Sequence, residues 1–292
     1  MVTLSNNPNV IKNIQDSYSS LSKGQRIIAE YMINHYDKAA FMTAASLGKI
    51  LNISESTVVR FANALGYTGY KELQKELQEL IRNKLTTVQR INLSGEFNSN
   101  GSTYSKVIEK DIENMKKTLT ELDPNSFSQA IEKTIKAKQI YIMGLRSSSF
   151  LSGYLSFYLN FIFDNIRTIA PGANDIFEQI AKASKDDVII CITYPRYSKR
   201  TLEALEYAKA KGCQIISFTD SLISPASNRS DVTIIARSDM ISFVDSLVAP
   251  MSLINAFIIA LGNEKKDTIK PYFEELEDVW KKYSIYDENE NI

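Results

Sequence analysis

Residues 43–73 show a spacing of apolar and polar positions that predicts two short helices joined by a tight turn. Thr43 is suited to cap the first helix, and residues 52–54 leave room only for a turn. Ser54 is in turn suited to cap the second helix. The inward face of the first helix is expected to consist of Ala44, Leu47, Ile50 and Leu51.

The second helix, residues 55–65, has one apolar and one polar face. Its apolar positions recur at helical spacing and are Val58, Phe61, Ala62 and Leu65. Its opposite face carries hydrogen-bonding side chains, namely Ser56, Thr57, Arg60 and Asn63. The simplest interpretation of this pattern is a small helical bundle whose polar face is only solvated, and this interpretation remains an alternative.

The sharper interpretation is a helix-turn-helix that reads duplex DNA, in which the start of the second helix enters the major groove. Arg60 is the first candidate for a base contact, because a guanidinium bonds guanine with two hydrogen bonds. Ser54 joins the polar face as a further candidate contact. Gly66 is suited to end the helix. Three residues beyond it are expected to reach phosphates and position the domain, namely Tyr67, Tyr70 and Lys71.

The chain changes character after a polar, turn-rich stretch at residues 92–103. Ahead of that stretch, Ser22 and Gln25 form a plausible capping box for a supporting helix. Beyond it, five short β-branched runs alternate with helical stretches, and they read QIYIMG, NIRTIA, DVIICIT, CQIISFT and DVTIIA. This alternation predicts an α/β doubly wound, mostly parallel five-stranded sheet after an all-α bundle.

The expected domain limits follow from these changes. They are a helix-turn-helix domain at 1–85, a linker at 86–105, a second domain at 106–286 and a polar tail at 287–292. A length of 292 residues leaves room for about two domains.

Charge and composition narrow the classes of protein. The net charge is zero, but residues 1–90 hold 11 Lys and Arg against 7 Asp and Glu, and the remainder holds 23 against 27. A basic first part has the sign that a phosphate-contacting domain needs. No run approaches the roughly 18 apolar residues of a membrane helix, and the N-terminus lacks signal-peptide order, so a cytoplasmic protein is expected.

The residue inventory excludes several kinds of site. Cys191 and Cys213 lie in strand-like runs and are expected to be reduced, buried thiols. The single histidine, His35, is expected on a helix surface, so a His-based triad or a His/Cys metal cluster is excluded. No metal and no cofactor are expected.

Two loops that follow predicted strands carry the candidate chemistry of the second domain. In open parallel sheets, ligands bind beyond the carboxyl ends of the strands. The first loop opens a helix and joins hydroxyls, a guanidinium and backbone N–H groups, through Arg146, Ser147, Ser148 and Ser149. It is a candidate anion cradle, although Ser147 could simply cap the helix.

The second loop adds hydroxyls, aromatic rings and cations through Thr193, Arg196, Tyr197 and Ser198. A flat, anionic ligand would suit it, although the tyrosines could instead pack against helices. Lys199 and Arg200 are expected to face water. Residues 219–221 follow a third strand and are expected to shape the pocket wall, with capping favoured over a ligand contact.

Four segments in order, SESTVVRFANALGYTGYKEL, GLRSSSFLSGYL, YPRYSKRTLEALEYAKAKGCQIISFTDSLISPASNRSD and FVDSLVAPMSLINAF, resemble an RpiR-type transcriptional regulator. The similarity covers nearly the whole chain. It implies an N-terminal helix-turn-helix and a C-terminal sugar isomerase (SIS) domain. It also implies a homodimer or homotetramer that binds operator DNA, senses a small metabolite such as a phosphosugar, and performs no catalysis.

The resemblance also implies ligand contacts, with Ser148 on the phosphate and Thr193 and Ser198 in a second phosphate-binding loop. That loop reads YPRYS here, where many phosphosugar binders have a turn rich in Gly, Ser and Thr. A carboxylate held by Arg146, Arg196 and Tyr197 is therefore an open alternative, because guanidinium pairs with both kinds of anion.

Two other functions remain as alternatives. A phosphosugar isomerase needs a positioned base for a carbon-bound proton. His35 lies in the predicted helix-turn-helix domain and not in the predicted sheet domain, so Glu178 is the candidate base. A non-DNA-binding module, whose helical bundle only mediates assembly, is the other alternative.

Overall fold

The computed structural model describes residues 10–81, 87–93, 102–172, 174–240 and 242–286. The chain divides into two compact units, residues 1–96 and residues 97–292. Each unit has its own core, and the two are described separately. Among the described residues, no helix combines the length and the apolar character needed to cross a membrane.

The first unit is all α. Its described helices are α1 (Val10–Ser17), α2 (Lys23–Asn34), α3 (Tyr36–Ala39), α4 (Ala44–Leu51), α5 (Glu55–Ala64), α6 (Tyr70–Ile81) and α7 (Thr87–Leu93). The backbone N–H of Ser22 donates to the side chain of Gln25 at 2.9 Å, as expected for a capped start of α2.

Helices α4 and α5 form the predicted helix-turn-helix. Thr43 accepts a hydrogen bond from the N–H of Ser46 at 3.1 Å, and Ser54 accepts one from the N–H of Thr57 at 3.3 Å. The turn between them begins at Asn52, whose left-handed backbone (φ 54°) ends α4. The predicted caps and the predicted turn are confirmed.

The buried stripe of α4 differs from the expected one by one position. Ile50 is exposed, whereas Gly48 is buried. A β-carbon on Gly48 would lie 2.8 Å from the carbonyl oxygen of Ile53, so the turn folds back closely over this glycine. The close approach turns α4 so that residues 44, 47, 48 and 51 face inward and Ile50 faces solvent.

The second unit has a five-stranded sheet flanked by helices. Its strands are β1 (Ile140–Gly144), β2 (Ile166–Ile169), β3 (Val188–Ile192), β4 (Gln214–Thr219) and β5 (Val232–Ile235). Its helices are α8 (Thr103–Glu121), α9 (Pro124–Lys136), α10 (Ser148–Leu159), α11 (Ile176–Ile180), α12 (Lys199–Ala210), α13 (Val248–Glu264) and α14 (Lys266–Lys282).

The strands lie in the order β2-β1-β3-β4-β5, and every described pair is parallel. The predicted fold class, an α-helical bundle followed by a doubly wound parallel sheet, is therefore confirmed. Successive strand residues enter opposite layers of the core. Ile140 and Ile142 pack with α10 and α13, whereas Tyr141 and Met143 pack with α11 and α12.

The predicted domain limits stay predictions. Helix α7 lies inside the segment predicted as linker, and α8 begins at Thr103, before the predicted end of that linker. Residues 94–101 of the predicted linker and the predicted tail at 287–292 lie outside the described residues.

Gly144 allows the closest approach in the second unit and yields a first prediction. A β-carbon there would overlap the carbonyl oxygen of Ser148 and lie 2.9 Å from Oγ of Ser152. We expect Gly144→Ala to lower the free energy of unfolding of the second unit by about 1–3 kcal/mol, because α10 must move away from β1. Chemical denaturation followed by circular dichroism measures the loss.

Gly153 provides the matched control, because it lies on α10, the helix that Gly144 contacts, and a β-carbon there meets nothing within 4 Å. Gly153→Ala should leave stability equal or raise it by up to about 1 kcal/mol, since alanine favours an exposed helix. Equal effects of the two substitutions would contradict the proposed overlap at Gly144.

Candidate functional site

The polar face predicted for α5 is present at the surface of the first unit. Ser54, Ser56, Arg60 and Asn63 are exposed and Thr57 is half-buried. Val58, Phe61 and Ala62 on the other side are fully buried, so the helix cannot turn this face inward without losing its core contacts.

The polar side chains at the start of α5 contact one another. Oγ of Ser54 lies 2.9 Å from Oγ of Ser56 and 2.8 Å from Oγ1 of Thr57. Arg60 donates from Nε to the carbonyl of Ser56 at 3.3 Å, which lays the guanidinium along the helix towards this cluster. One surface therefore presents both hydroxyls and a guanidinium, the groups that bond base edges and phosphates.

Gln25 is a neighbour of this surface that the sequence indicated only as a capping residue. Its side-chain amide donates to the carbonyl oxygen of Arg60 at 3.3 Å, from the first turn of α2. A β-carbon on Gly24 would lie 3.3 Å from the methyl group of Thr57. The start of α2 thus packs against α5 and holds it in position. The capping-box pattern located the start of α2 but not its contact with α5.

The two tyrosines expected to reach phosphates lie elsewhere. Tyr67 is buried and its hydroxyl donates to Glu76. Tyr70 is buried, and its hydroxyl contacts the carbonyl oxygens of Met42 at 3.0 Å and Ala39 at 3.3 Å. Burial raises the pKa of the Tyr70 phenol well above its usual value. Both rings belong to the core because they join α6 to the rest of the bundle, whereas Lys71 beside them is exposed.

In the second unit, the two polar loops follow neighbouring strands. The chain leaves β1 towards β2 on one side of the sheet and later enters β3 on the other side. Gly144 at the end of β1 pairs with Ile192 at the end of β3. The loop of residues 145–149 and the loop of residues 193–198 therefore start side by side. In open parallel sheets, such a reversal of strand order is where ligands bind.

The loop after β1 combines exposed and buried hydroxyls. Arg146 has a left-handed backbone (φ 57°), and its carbonyl accepts hydrogen bonds from N–H of Ser149 at 3.0 Å and Oγ of Ser149 at 2.6 Å. Ser147 is exposed and makes no capping hydrogen bond with its side chain. Ser148, the first residue of α10, is buried. The bond from Ser149 closes the turn, so α10 starts at the carboxyl edge of the sheet.

The loop after β3 is built around buried residues. Thr193 is buried and its N–H donates to the carbonyl of Phe218 at 3.0 Å. Tyr197 is half-buried and its hydroxyl donates to Oδ1 of Asp220 at 2.6 Å. Ser198, also half-buried, precedes α12 without a side-chain capping bond, and Arg196 is exposed. This loop follows β3 at the same edge of the sheet as the loop after β1.

The neighbouring charged residues have structural partners. Lys199 is exposed and lies 3.6 Å from Glu203. Arg200 pairs with Asp175 and stacks on Phe177 with its guanidinium carbon 4.9 Å from the ring centroid. Glu178 accepts a hydrogen bond from the N–H of Asp175 at 3.1 Å and so caps α11.

The two cysteines and the single histidine lie where the sequence predicts them. Cys191 and Cys213 are free and buried. Burial raises the pKa of the Cys191 thiol to about 12, so the thiol stays protonated. His35 is exposed between α2 and α3. The described residues contain no cluster of His, Cys, Asp and Glu that could hold a metal ion.

Comparison with known protein families places both units. The helix-turn-helix domain of the rpiR family matches residues 8–84, and the SIS domain matches residues 133–260. A helix-turn-helix domain followed by a SIS domain defines a class of transcriptional regulators. This chain belongs to the RpiR-type transcriptional regulators.

Individual relatives agree with this assignment. An HTH-type transcriptional regulator of Haemophilus influenzae is 26% identical over 230 residues, 78% of this chain and 79% of the relative. The regulator HexR of Pseudomonas aeruginosa is 25% identical over 213 residues, 72% of this chain and 73% of the relative.

Solved structures show the same fold. The sugar isomerase domain of an RpiR transcription factor from Sphaerobacter thermophilus has a TM-score of 0.58 at 21% identity, covering 61% of this chain and 99% of that one. The NanR protein of Vibrio vulnificus, complexed with ManNAc-6P, has a TM-score of 0.55 at 19% identity, covering 93% and 99%.

The burial of Tyr70 yields a second prediction. Tyr70→Phe removes the hydroxyl that contacts two backbone carbonyls, and we expect the free energy of unfolding of the first unit to fall by about 1–2 kcal/mol. The affinity of the folded protein for duplex DNA should stay the same. Thermal denaturation and a DNA-binding titration at constant salt measure the two effects.

Tyr104→Phe is the control, because this ring is 71% exposed. It should change neither quantity. Unchanged stability and weakened DNA binding in Tyr70→Phe would contradict this prediction and support the sequence-based assignment of Tyr70 as a DNA contact.

Proposed function

We propose that this regulator binds operator DNA through α5 and that its SIS domain binds a small anionic metabolite, a phosphosugar, which modulates that binding. The observation that carries the second part is the meeting of two polar loops at the reversal of strand order between β1 and β3. No catalytic step is proposed, because the candidate base Glu178 serves as a helix cap.

The proposed DNA contacts are the exposed or half-exposed polar residues of α5 and the start of α6. They are Ser54, Ser56, Thr57, Arg60, Asn63 and Lys71. Tyr67 and Tyr70 are left out because their hydroxyls bond within the bundle. The bacterial relatives of this chain are transcriptional regulators, so we propose that this one also acts on DNA in the cytoplasm.

The proposed effector contacts are the polar groups of the two loops. They are Arg146, Ser147, Ser148, Ser149, Thr193, Arg196, Tyr197 and Ser198. A helix N-terminus with nearby hydroxyls and guanidinium groups binds phosphate through N–H groups, O–H groups and charge. The phosphosugar ManNAc-6P in the complex of NanR, which shares the fold, supports this ligand class over a carboxylate.

We infer that two copies of the chain associate through the second unit. Four large apolar side chains on α8 are exposed at a helical spacing of four and three residues, namely Ile108, Ile112, Met115 and Leu119. Phe150 and Phe157 are exposed on α10. Exposed apolar faces of this kind usually mark protein interfaces, and a symmetric pair would present two α5 helices to two half-sites.

The loop after β5 provides a route by which effector binding changes DNA binding. This loop begins at the ligand edge of the sheet and is bonded to α8, the first helix after the predicted linker. The N–H of Arg237 donates to Oγ1 of Thr118 at 2.8 Å, and the side chain of Asn114 donates to the carbonyl of Asp239 at 3.0 Å. Lys117 lies 3.4 Å from the carboxylate of Asp239. A ligand that shifts this edge would therefore shift α8.

The DNA contacts yield a third prediction. Sequences selected from a random duplex library by the parent protein and by Arg60→Ala should differ at one base of each half-site, with a loss of about 1–3 kcal/mol of discrimination there. Lys71→Ala should instead keep the preferred sequence, weaken binding evenly and reduce the salt slope by about 1. Binding titrations over a series of salt concentrations separate these two effects.

An unchanged sequence preference in Arg60→Ala would exclude Arg60 as a base reader. Absence of binding to any duplex, at low salt, by the parent protein would favour the assembly-module alternative.

The effector pocket yields a fourth prediction. Screening anionic metabolites by thermal denaturation should reveal phosphorylated sugars that raise the melting temperature, because a ligand of the native state stabilises it. Ser148→Ala should reduce the affinity for these ligands by roughly tenfold, as expected for the loss of one hydrogen bond to a charged group. The same ligands should change the operator affinity of the parent protein.

Ser156→Ala is the matched control, because this serine is equally buried on the same helix and its hydroxyl bonds to no other residue in the described part of the chain. It should leave ligand affinity unchanged. If only carboxylates raised the melting temperature, the effector would be a carboxylate and not a phosphosugar.

A further inference from the structure

Tyr194 follows Thr193 at the carboxyl end of β3 and carries a polar group that the fold itself does not use. The side chain is 4% exposed, and its ring packs in the layer formed with α10 and α13. Its hydroxyl is buried and has no hydrogen-bond partner among the described residues. A buried hydroxyl without a partner costs stability, so a function that needs it is a reason for its presence.

Asp220, at the end of the neighbouring strand β4, supplies a carboxylate at the same edge. It is buried, and it accepts hydrogen bonds from the hydroxyls of Tyr197 at 2.6 Å and Thr219 at 3.2 Å. Both bonds end on Oδ1, so Oδ2 can accept a further donor. Burial raises the pKa of the Tyr194 phenol well above its usual value, and the nearby Asp220 and Tyr197 add to that shift. Tyr194 therefore stays protonated beside this carboxylate.

The pocket edge thus has two ends of different character. The β1 end offers Arg146 and the N-terminus of α10, which favour an anion. The β4 end offers a carboxylate, which repels an anion and accepts hydrogen bonds from hydroxyl or amine groups. Strands β1 and β4 are separated by β3, so these ends lie roughly 10 Å apart, two strand spacings, which a phosphorylated hexose can span.

We propose that Tyr194, Tyr197 and Asp220 form a hydroxyl-recognition site that selects polyhydroxylated phosphates over inorganic phosphate. The site rests on the proposed effector pocket and extends it. The phosphate binds at the β1 loop, and the hydroxyl groups at the far end of the sugar donate to Asp220 and bond the phenol of Tyr194. A ligand without hydroxyl groups would occupy only the phosphate end.

The test compares two kinds of probe on the full chain by titration calorimetry. The probes are inorganic phosphate and a set of hexose 6-phosphates that includes N-acetylmannosamine 6-phosphate. In the parent protein, at least one sugar phosphate should bind tenfold or more tightly than inorganic phosphate, on the order of one hydrogen bond to a charged group. Tyr194→Phe and Asp220→Asn should each reduce that advantage by roughly tenfold and leave the affinity for inorganic phosphate within about a factor of two.

Stability separates recognition from a structural role. Tyr194→Phe removes an unpartnered buried hydroxyl, so the melting temperature of the ligand-free protein should stay equal or rise while sugar-phosphate binding weakens. Tyr207→Phe, a matched substitution on α12 where the ring contacts Phe177, should change neither affinity.

Each other outcome overturns the inference. An undiminished sugar-phosphate advantage in both variants, or an equal loss for both probes, removes the hydroxyl-recognition site. Binding of inorganic phosphate without any sugar-phosphate advantage in the parent protein removes it too, while leaving the anion pocket intact. Failure of the parent protein to bind either probe refutes the proposed effector pocket itself, and the inference with it.

Discussion

The contact between Gly144 and the first turn of α10 sets the geometry on which the proposed ligand-binding end of this protein depends. Only a residue without a β-carbon lets the backbone of α10 lie this close to the end of β1. The contact places the N-terminus of α10, with Ser148, directly at the carboxyl edge of the sheet. The pairing of Gly144 with Ile192 then places the loop after β3 beside it. The lack of a side chain at Gly144 and its pairing with Ile192 therefore bring together two polar loops that are about 50 residues apart in the chain.

A glycine also allows close backbone packing in the first unit. Gly48 lets the turn after α4 fold back over the helix, which leaves α5 crossing α4 at close range. The buried residues of α5 then fix which side of that helix faces outward. The contact of Gln25 with the backbone at Arg60 adds a constraint from α2. The polar face of α5 is thus held by packing on one side and by hydrogen bonds at its edge, which is the rigidity that a reader of base edges requires.

The two ends of the proposed pocket explain how one sheet edge can bind an anion and still discriminate among anions. In this proposal, Arg146 and the helix N-terminus attract any phosphate, whereas the buried carboxylate of Asp220 accepts hydrogen bonds only from donor groups. The other charged residues nearby have structural partners: Arg200 pairs with Asp175, and Glu178 caps α11. The loop after β5 is bonded to α8, the first described helix of the second unit, and so connects this edge of the sheet to that helix.

The sequence by itself determined the elements and their order. Helical spacing located α4 and α5, the capping residues located their starts, and β-branched runs located all five strands and hence the loops that follow them. These features depend on neighbouring residues, so local patterns encode them. Helical spacing also assigned the two faces of α5 correctly, but only the tertiary structure decided the positions where contacts with distant residues override that spacing. It buried Tyr67 and Tyr70, exposed Ile50 and joined Tyr197 to Asp220, because such outcomes depend on partners far away in the chain, and spacing alone does not specify them.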